Sequence, residues 1–236
     1  MDFYDLSQPA WSPDGKRIAF KAGDQIYIYT LADKSRHKIT LNERDGAEPA
    51  WSSDSNYVFF RSERGNTDFD IYKARYDANP AIPLSHKKVI VLKGNDTLVV
   101  SSPNGSKIAF QHQSDTDPVT YDVMTANADG SNPNLIYRYT GRIDRLSWFP
   151  DSDRILLRLN RNDGITQGHL RIVRVTTKTS NPIVGPNDKI RLACDAVISL
   201  DGTKIAFSAI PEGSDGFCIY TCSLGGMNLK QITKAP

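Results

Sequence analysis

No apolar run in the sequence approaches the roughly 20 residues that a helix needs to cross a bilayer, so no membrane span is expected. Neither sign of charge dominates. With 29 basic and 27 acidic residues the formal net charge is +2, which gives no reason to expect nucleic acid or an anionic membrane as a partner. Histidine is scarce: His37, His86, His112 and His169 are scattered and form no His-x-x-x-His pair. A histidine-based metal site is therefore not expected, and no cofactor is implied. Cysteine is limited to Cys194, Cys218 and Cys222. Four positions apart on one strand, Cys218 and Cys222 would stand roughly 13 Å apart, too far to bridge, so reduced and buried thiols are expected. The start, Met1-Asp2-Phe3-Tyr4-Asp5, is acidic with no apolar stretch behind it and does not read as a secretory leader. The compartment is periplasmic if a leader has been removed and cytoplasmic otherwise. No stretch sustains apolar spacing of three and four over ten residues with caps, so no helix is expected.

What is present is repetition. The stretch Trp11-Ser12-Pro13-Asp14-Gly15-Lys16-Arg17-Ile18-Ala19-Phe20 returns in altered form around Asp54, Asn104, Asp151 and Asp201, at steps of 40, 50, 47 and 50 residues. Pro suits the early position of a tight turn, and Asp or Asn before Gly tolerates the dihedrals that follow. An apolar or aromatic residue before the turn and an Ile-Ala-Phe run after it make a β-hairpin. Two further strands follow each hairpin. After the first come Gln25–Tyr29 and 36–40; after the second, Asp70–Ala74 and 87–92. The fourth strand of the fourth unit, near Asn181 to Val184, reads as the weakest in the chain. Residues 2–6 are either a strand completing a terminal sheet or a loose tail.

Four strands per period of about 45 residues is the pattern of a propeller blade. The fold class expected is all-β: a five-bladed β-propeller of four-stranded antiparallel blades, one domain over residues 1–236, with repeat motifs at 9–20, 49–60, 99–110, 146–157 and 196–207. A monomer is expected, with closure by a second chain as the alternative.

The segment Pro9 to Phe20, with Asp70-Ile71-Tyr72, Asp129-Gly130-Ser131-Asn132 and the terminal Gln231-Ile232-Thr233, resembles the repeat of TolB-type β-propellers over nearly the whole chain. The usual form of that family has six blades and a preceding domain; here there are five motifs and no extra domain. Related repeats occur in the gating propellers of prolyl-oligopeptidase-type peptidases, but this sequence has no Gly-x-Ser-x-Gly elbow. Similar propellers also form oligogalacturonate lyases, which use a His-rich metal site.

In such a fold the first strand of each blade lines the central channel. Three positions before Trp11 and its equivalents lie Gln8, Glu48, Leu98, Arg145 and Asp195; one step earlier lie Ser7, Ala47, Thr97, Asp144 and Cys194. Glu48, Asp144, Arg145 and Asp195 are the candidate ligand residues at the channel mouth, where converging polar groups make a binding site. The bland alternative is that they pair with one another or with water. No residue is assigned a catalytic role, and the turn aspartates read as turn formers. The acidic pairs Asp68/Asp70 and Asp115/Asp117 offer oxygen ligands of the kind calcium takes, but read as solvated loop charges. The function expected is a non-catalytic scaffold that binds a protein or peptide partner. The alternative is a carbohydrate-binding or carbohydrate-active propeller that uses the channel mouth.

Overall fold

The computed structural model describes residues 6–40, 46–63, 68–76, 86–160, 168–184 and 189–234. Blade one comprises β1 (Leu6–Trp11), β2 (Arg17–Ala22), β3 (Gln25–Thr30) and β4 (Arg36–Lys38). Blade two comprises β5 (Ala47–Trp51), β6 (Tyr57–Ser62), β7 (Asp70–Arg75) and β8 (His86–Lys88). Blade three comprises β9 (Asn95–Ser101), β10 (Lys107–Gln113), β11 (Thr120–Asn127) and β12 (Asn134–Thr140). Blade four comprises β13 (Arg142–Trp148), β14 (Arg154–Asn160), β15 (Gly168–Arg174) and β16 (Ser180–Val184). Blade five comprises β17 (Ile190–Ile198), β18 (Lys204–Pro211), β19 (Cys218–Ser223) and β20 (Lys230–Gln231). Every sheet runs in chain order, and no helix occurs among the described residues. The fold is thus all-β, with five four-stranded blades of propeller type. The chain divides into two compact units: residues 1–118 with 123–134, and residues 119–122 with 135–236.

The repeated turn is a small hydrogen-bonded device. The Gly15 N–H donates to the Ser12 carbonyl at 2.9 Å, with Pro13 and Asp14 between. The Ser12 hydroxyl donates to Asp14 Oδ1 at 2.5 Å and accepts from the Arg17 N–H at 2.9 Å. Ser52 with Asp54 and Ser199 with Asp201 repeat the serine–acid bond, and Ser102 makes it to the Asn104 amide oxygen. In the fourth hairpin Phe149 replaces the serine, and Asp151 Oδ1 accepts directly from the Asp153 and Arg154 amides. The residue after the turn Asp or Asn is left-handed in every blade: Gly15, Ser55, Gly105, Ser152 and Gly202, with φ between 58° and 72°. Glycine adopts that region without strain, which is why it holds three of the five places.

Packing between consecutive blades forms the core. In the first unit, Ala19, Ile26, Ile28 and Ile39 of blade one meet Trp51, Val58, Phe60, Tyr72 and Ala74 of blade two. The opposite face of blade two brings Phe59, Ile71, Val89 and Ile90 against Val99, Ile108, Phe110 and Ala126. In the second unit Leu156, Leu170, Ile172 and Ile183 meet Ile205, Phe207, Tyr220 and Cys222. Strand alternation makes this possible, because the two faces of one sheet serve two different neighbours. Two glycines lock consecutive blades together. A Cβ on Gly130 would sit 1.9 Å from the Val89 carbonyl oxygen, and one on Gly226 would sit 2.3 Å from that of Ile183. Both have positive φ, so a side chain is excluded twice over.

Several strand expectations need correction. The fourth strands of blades one and two stop at Lys38 and Lys88, short of 40 and 92. Beyond them the chain turns inward: Ile39 N–H donates to the Ile26 carbonyl and Val89 N–H to that of Ile71, which buries Ile39, Val89 and Ile90. The strand at 181–184 is not the weakest, since β16 has five residues and β20 only two. Pro182 is tolerated because β16 is an edge strand and needs no donor on its open side. Of the segment 2–6, only Leu6 falls within the described residues, where it opens β1. All three cysteines are free and buried, as their spacing implied.

Candidate functional site

Each first strand carries an irregularity where the candidate residues lie. In blade one the pairing jumps from Ser7↔Lys21 to Ala10↔Ala19, so Gln8 and Pro9 together face Phe20. In blade two Glu48 and Pro49 face Phe60, and in blade three Leu98 and Val99 face Phe110. In blade five Asp195 and Ala196 face Phe207. Two residues opposite one define a β-bulge, which bends the strand and re-aims a side chain. The first bulge residue is left-handed each time: Gln8, Glu48, Leu98 and Asp195 have φ of 53°, 57°, 54° and 49°. Blade four departs from this. There the extra residue is Asp144, between Ile143 and Arg145, and Arg145 pairs regularly with Arg158. The fixed count from the turn thus names the bulge in four blades and misses it by one in the fourth.

A left-handed bulge residue turns its N–H out of the ladder, and a buried donor needs an acceptor. The preceding blade supplies it. Gln8 Oε1 accepts from the Glu48 N–H at 2.7 Å, and Glu48 Oε2 accepts from the Leu98 N–H at 2.6 Å. Glu48 Oε1 also faces Arg61 Nε at 3.2 Å. Oε2 of Glu48 thus braces blade two to blade three, Oε1 faces Arg61 within blade two, and the Glu48 amide ties blade two to Gln8 of blade one. Leu98 has no acceptor, so the relay of braces ends with it.

In the second unit Asp144 Oδ1 accepts from Arg142 Nε at 2.5 Å, while Oδ2 lies 3.6 Å from Arg158 Nε. Asp195 is exposed, with its Oδ2 3.3 Å from the Ser208 hydroxyl, and Arg145 is exposed. The four candidates thus split by role. Glu48 and Asp144 are engaged in local pairing, and Arg145 and Asp195 are presented to solvent.

A buried polar cluster was not legible beforehand. Asp70 opens β7 as a buried residue, not a solvated loop charge, and pairs with Lys88 Nζ at 2.6 Å. Asp96, equally buried, faces His112 Nδ1 at 2.8 Å. Burial pushes the Asp96 carboxyl above its usual range against the pull of His112, and the nearby Asp70 adds to the rise. Among the described residues no three of His, Cys, Asp or Glu group so as to hold a metal ion. No described helix is long and apolar enough to cross a membrane.

Five antiparallel four-stranded blades, each opening on a repeated hairpin and carrying a bulge in its first strand, define a β-propeller of repeat type. The chain matches the TolB beta propeller domain over residues 4–196, and it belongs to that family. It is similar in structure to a TolB from Agrobacterium tumefaciens at 18% identity, covering 96% of this chain and 80% of that one, with a TM-score of 0.74. It is similar to TolB from Acinetobacter baumannii at 17% identity, covering 98% of this chain and 55% of that one, with a TM-score of 0.70. An oligogalacturonate lyase from Vibrio parahaemolyticus shares 13% identity over 99% of this chain and 65% of its own length, with a TM-score of 0.71. The chain thus spans little more than half of the Acinetobacter protein and just under two thirds of the lyase. At these identities the likeness concerns the fold.

Proposed function

We propose that the chain is a non-catalytic interaction module that binds a protein or peptide partner. The observation that carries this reading is the state of Glu48. The candidate best placed for chemistry has both carboxylate oxygens engaged, by the Leu98 amide and by Arg61. A general acid or base has to reach the proton it transfers, and a brace of this kind does not. The solvent-facing Arg145 and Asp195 are the contact residues on this reading. Rigid blades that hold exposed tips in fixed relation suit recognition of a peptide surface. A formal net charge of +2 gives no pull toward nucleic acid or an anionic membrane.

The competing reading, a carbohydrate-binding or carbohydrate-active propeller, draws on the likeness to the lyase. A random-peptide phage library panned on the immobilised chain separates the two. Enriched peptides should lose about tenfold or more in affinity when Arg145→Ala and Asp195→Ala are combined, the loss expected of a hot spot. No enrichment over a blank surface, together with an oligogalacturonide-induced rise in melting temperature that Asp195→Ala removes, would decide for the sugar.

A further inference from the structure

Asn104-Gly105 is the one Asn-Gly pair in the sequence, and it forms the turn of the third hairpin, where the other four carry Asp14, Asp54, Asp151 and Asp201. Such a pair is open to reaction with itself. Glycine has no Cβ, so nothing shields its backbone nitrogen from the side-chain carbonyl carbon of the asparagine before it. The Gly105 nitrogen bonds to Asn104 Cγ, the Cγ–Nδ2 bond breaks, and the Gly105 amide proton leaves with Nδ2 as ammonia. Solvent water then opens the cyclic imide. Cleavage of the new bond gives aspartate. Cleavage of the original main-chain bond gives isoaspartate, whose main chain is one methylene longer.

The folded turn acts on both steps. Before reaction, the Gly105 N–H donates to the Ser102 carbonyl at 2.9 Å. Asn104 Oδ1 accepts from the Ser102 hydroxyl at 2.8 Å, the Ser106 N–H at 3.0 Å and the Ser106 hydroxyl at 2.8 Å. Nucleophile and carbonyl are each held in the turn's own bonds, so attack waits until the turn opens. After reaction, aspartate offers the same oxygen to the same donors. Asp14, Asp54 and Asp201 show the fit: each takes a serine hydroxyl at 2.5 to 2.6 Å and the amide two residues on at 3.0 Å. Isoaspartate has no such place, because its extra methylene lengthens the loop between Ser102 and Gly105.

We propose that Asn104 is a site of self-modification: it deamidates through opening of its turn, and the hairpin keeps the product as aspartate, the acid that the other four blades already carry. The change is not neutral for its surroundings. Asn104 borders a cleft of about 430 Å3 between blades two and three, together with Asp54, Lys73 and Asp129. A carboxylate at 104 makes a third acid around the Lys73 ammonium. It also gives the third hairpin the charge that it lacks as synthesised.

Ageing the native chain in mildly alkaline buffer tests this, with peptide mass mapping of samples over time and a synthetic peptide of residues 101–108 aged beside it. Isoaspartate is counted by methylation with an isoaspartyl methyltransferase. Acid should accumulate at 104 ahead of every other asparagine, more slowly than in the peptide, and with a larger share of aspartate. Ser106→Ala removes one donor to Oδ1 but leaves the Ser102 hydroxyl on the Lys107 amide, so the hairpin should survive. It should speed conversion in the native chain about threefold or more, and leave the rate in the peptide unchanged. The aged chain should match Asn104→Asp, with a melting temperature that falls more steeply than that of fresh protein below about pH 4. No acid at 104 in the native chain once the peptide has converted would overturn the proposal. So would an aspartate share no larger than the peptide's, or a Ser106→Ala chain no faster than wild type.

Discussion

Trp51 and Trp11 occupy the same place in consecutive repeats and live in different surroundings. Trp51 is 5% exposed, hydrogen-bonded to Ala10 and covered by Arg17; Trp11 is 62% exposed. The hairpins that carry them share the Trp-Ser-x-Asp start and the final Phe, and both close with the same serine–aspartate bond. What differs is the neighbour. Each blade has one face for the sheet before it and one for the sheet after it, and Trp51 lies on the face that blade one covers. Local structure is thus a property of the repeat, whereas burial is a property of its position in the series.

The sharpest way to break this comparison is to truncate both indoles. Trp51→Ala should cost about 3–5 kcal/mol, the usual range for removing a large buried aromatic, and it also strands the Ala10 carbonyl. Trp11→Ala should change stability by no more than about 0.5 kcal/mol when measured in dilute protein, because little apolar area is withdrawn from cover. Urea unfolding of the two variants checks this. Equal losses would mean that the blade-one face is covered in solution.

Glycines give the next contrast. Gly130→Ala should cost at least about 2 kcal/mol, since it forces a Cβ into a left-handed position and against the Val89 backbone. Nothing lies within 4 Å of a Cβ placed on Gly15, so Gly15→Ser should cost only about 1 kcal/mol. Serine already holds that place at Ser55 and Ser152, with φ of 60° and 58°. A smaller effect is expected at the brace. Glu48→Leu leaves the Leu98 N–H without its acceptor and should cost about 1 kcal/mol, whereas Glu48→Gln keeps an oxygen in place and should recover most of it. Amide hydrogen exchange at Leu98 reads the bond directly, faster in the leucine variant and near wild type in the glutamine one.

The blade count, the strand order and the hairpins were legible because turn chemistry and two-residue alternation are local. The serine of the hairpin stood in the sequence too: Ser12, Ser52, Ser102 and Ser199 each precede the turn Asp or Asn by two positions, and its absence at Phe149 was visible. The roles of Glu48 and Asp144 were not. A bulge is a matter of register between two strands, and the amide that Glu48 satisfies belongs to a residue 50 positions away. Counting three positions back from the turn tryptophan or its equivalent lands on the bulge at Gln8, Glu48, Leu98 and Asp195 but on Arg145 in blade four, where the extra residue is Asp144, a candidate only through the count one step earlier. Asp70 was misread for a similar reason. Its sequence neighbours, Asp68 and Phe69, suggest a loop, and only the pairing of β6 with β7 buries it beside Lys88.

The smallest expected effect concerns the hairpin acids, and blade three supplies the control. Burial opposes ionisation of Asp14, but the Ser12 hydroxyl, the Lys16 amide and Arg17 outweigh it and bring the carboxyl down to about 2. The Ser199 hydroxyl and the Thr203 amide and hydroxyl bring Asp201 to about 2 as well. A carboxylate lowered in the folded state adds stability that is complete above its unfolded value, near 4, and that disappears as pH falls toward 2. Melting temperature should therefore fall over that window for reasons local to these turns. Asn104 holds the corresponding place in blade three, accepting from Ser102 at 2.8 Å with no charge to lose. Asp201→Asn should accordingly cost little at neutral pH and reduce the slope of melting temperature between pH 4 and pH 2. Asp96 has the opposite sign, because burial raises it: the folded state takes up its proton first, so stability is gained as pH falls toward about 4, above the window of the turn acids, and Asp96→Asn should remove that gain while leaving the decline below pH 4 unchanged. If Asp201→Asn leaves the slope untouched, the serine and amide bonds hold the turn whatever the charge on the acid, and the hairpins of blades three and five are electrostatically alike.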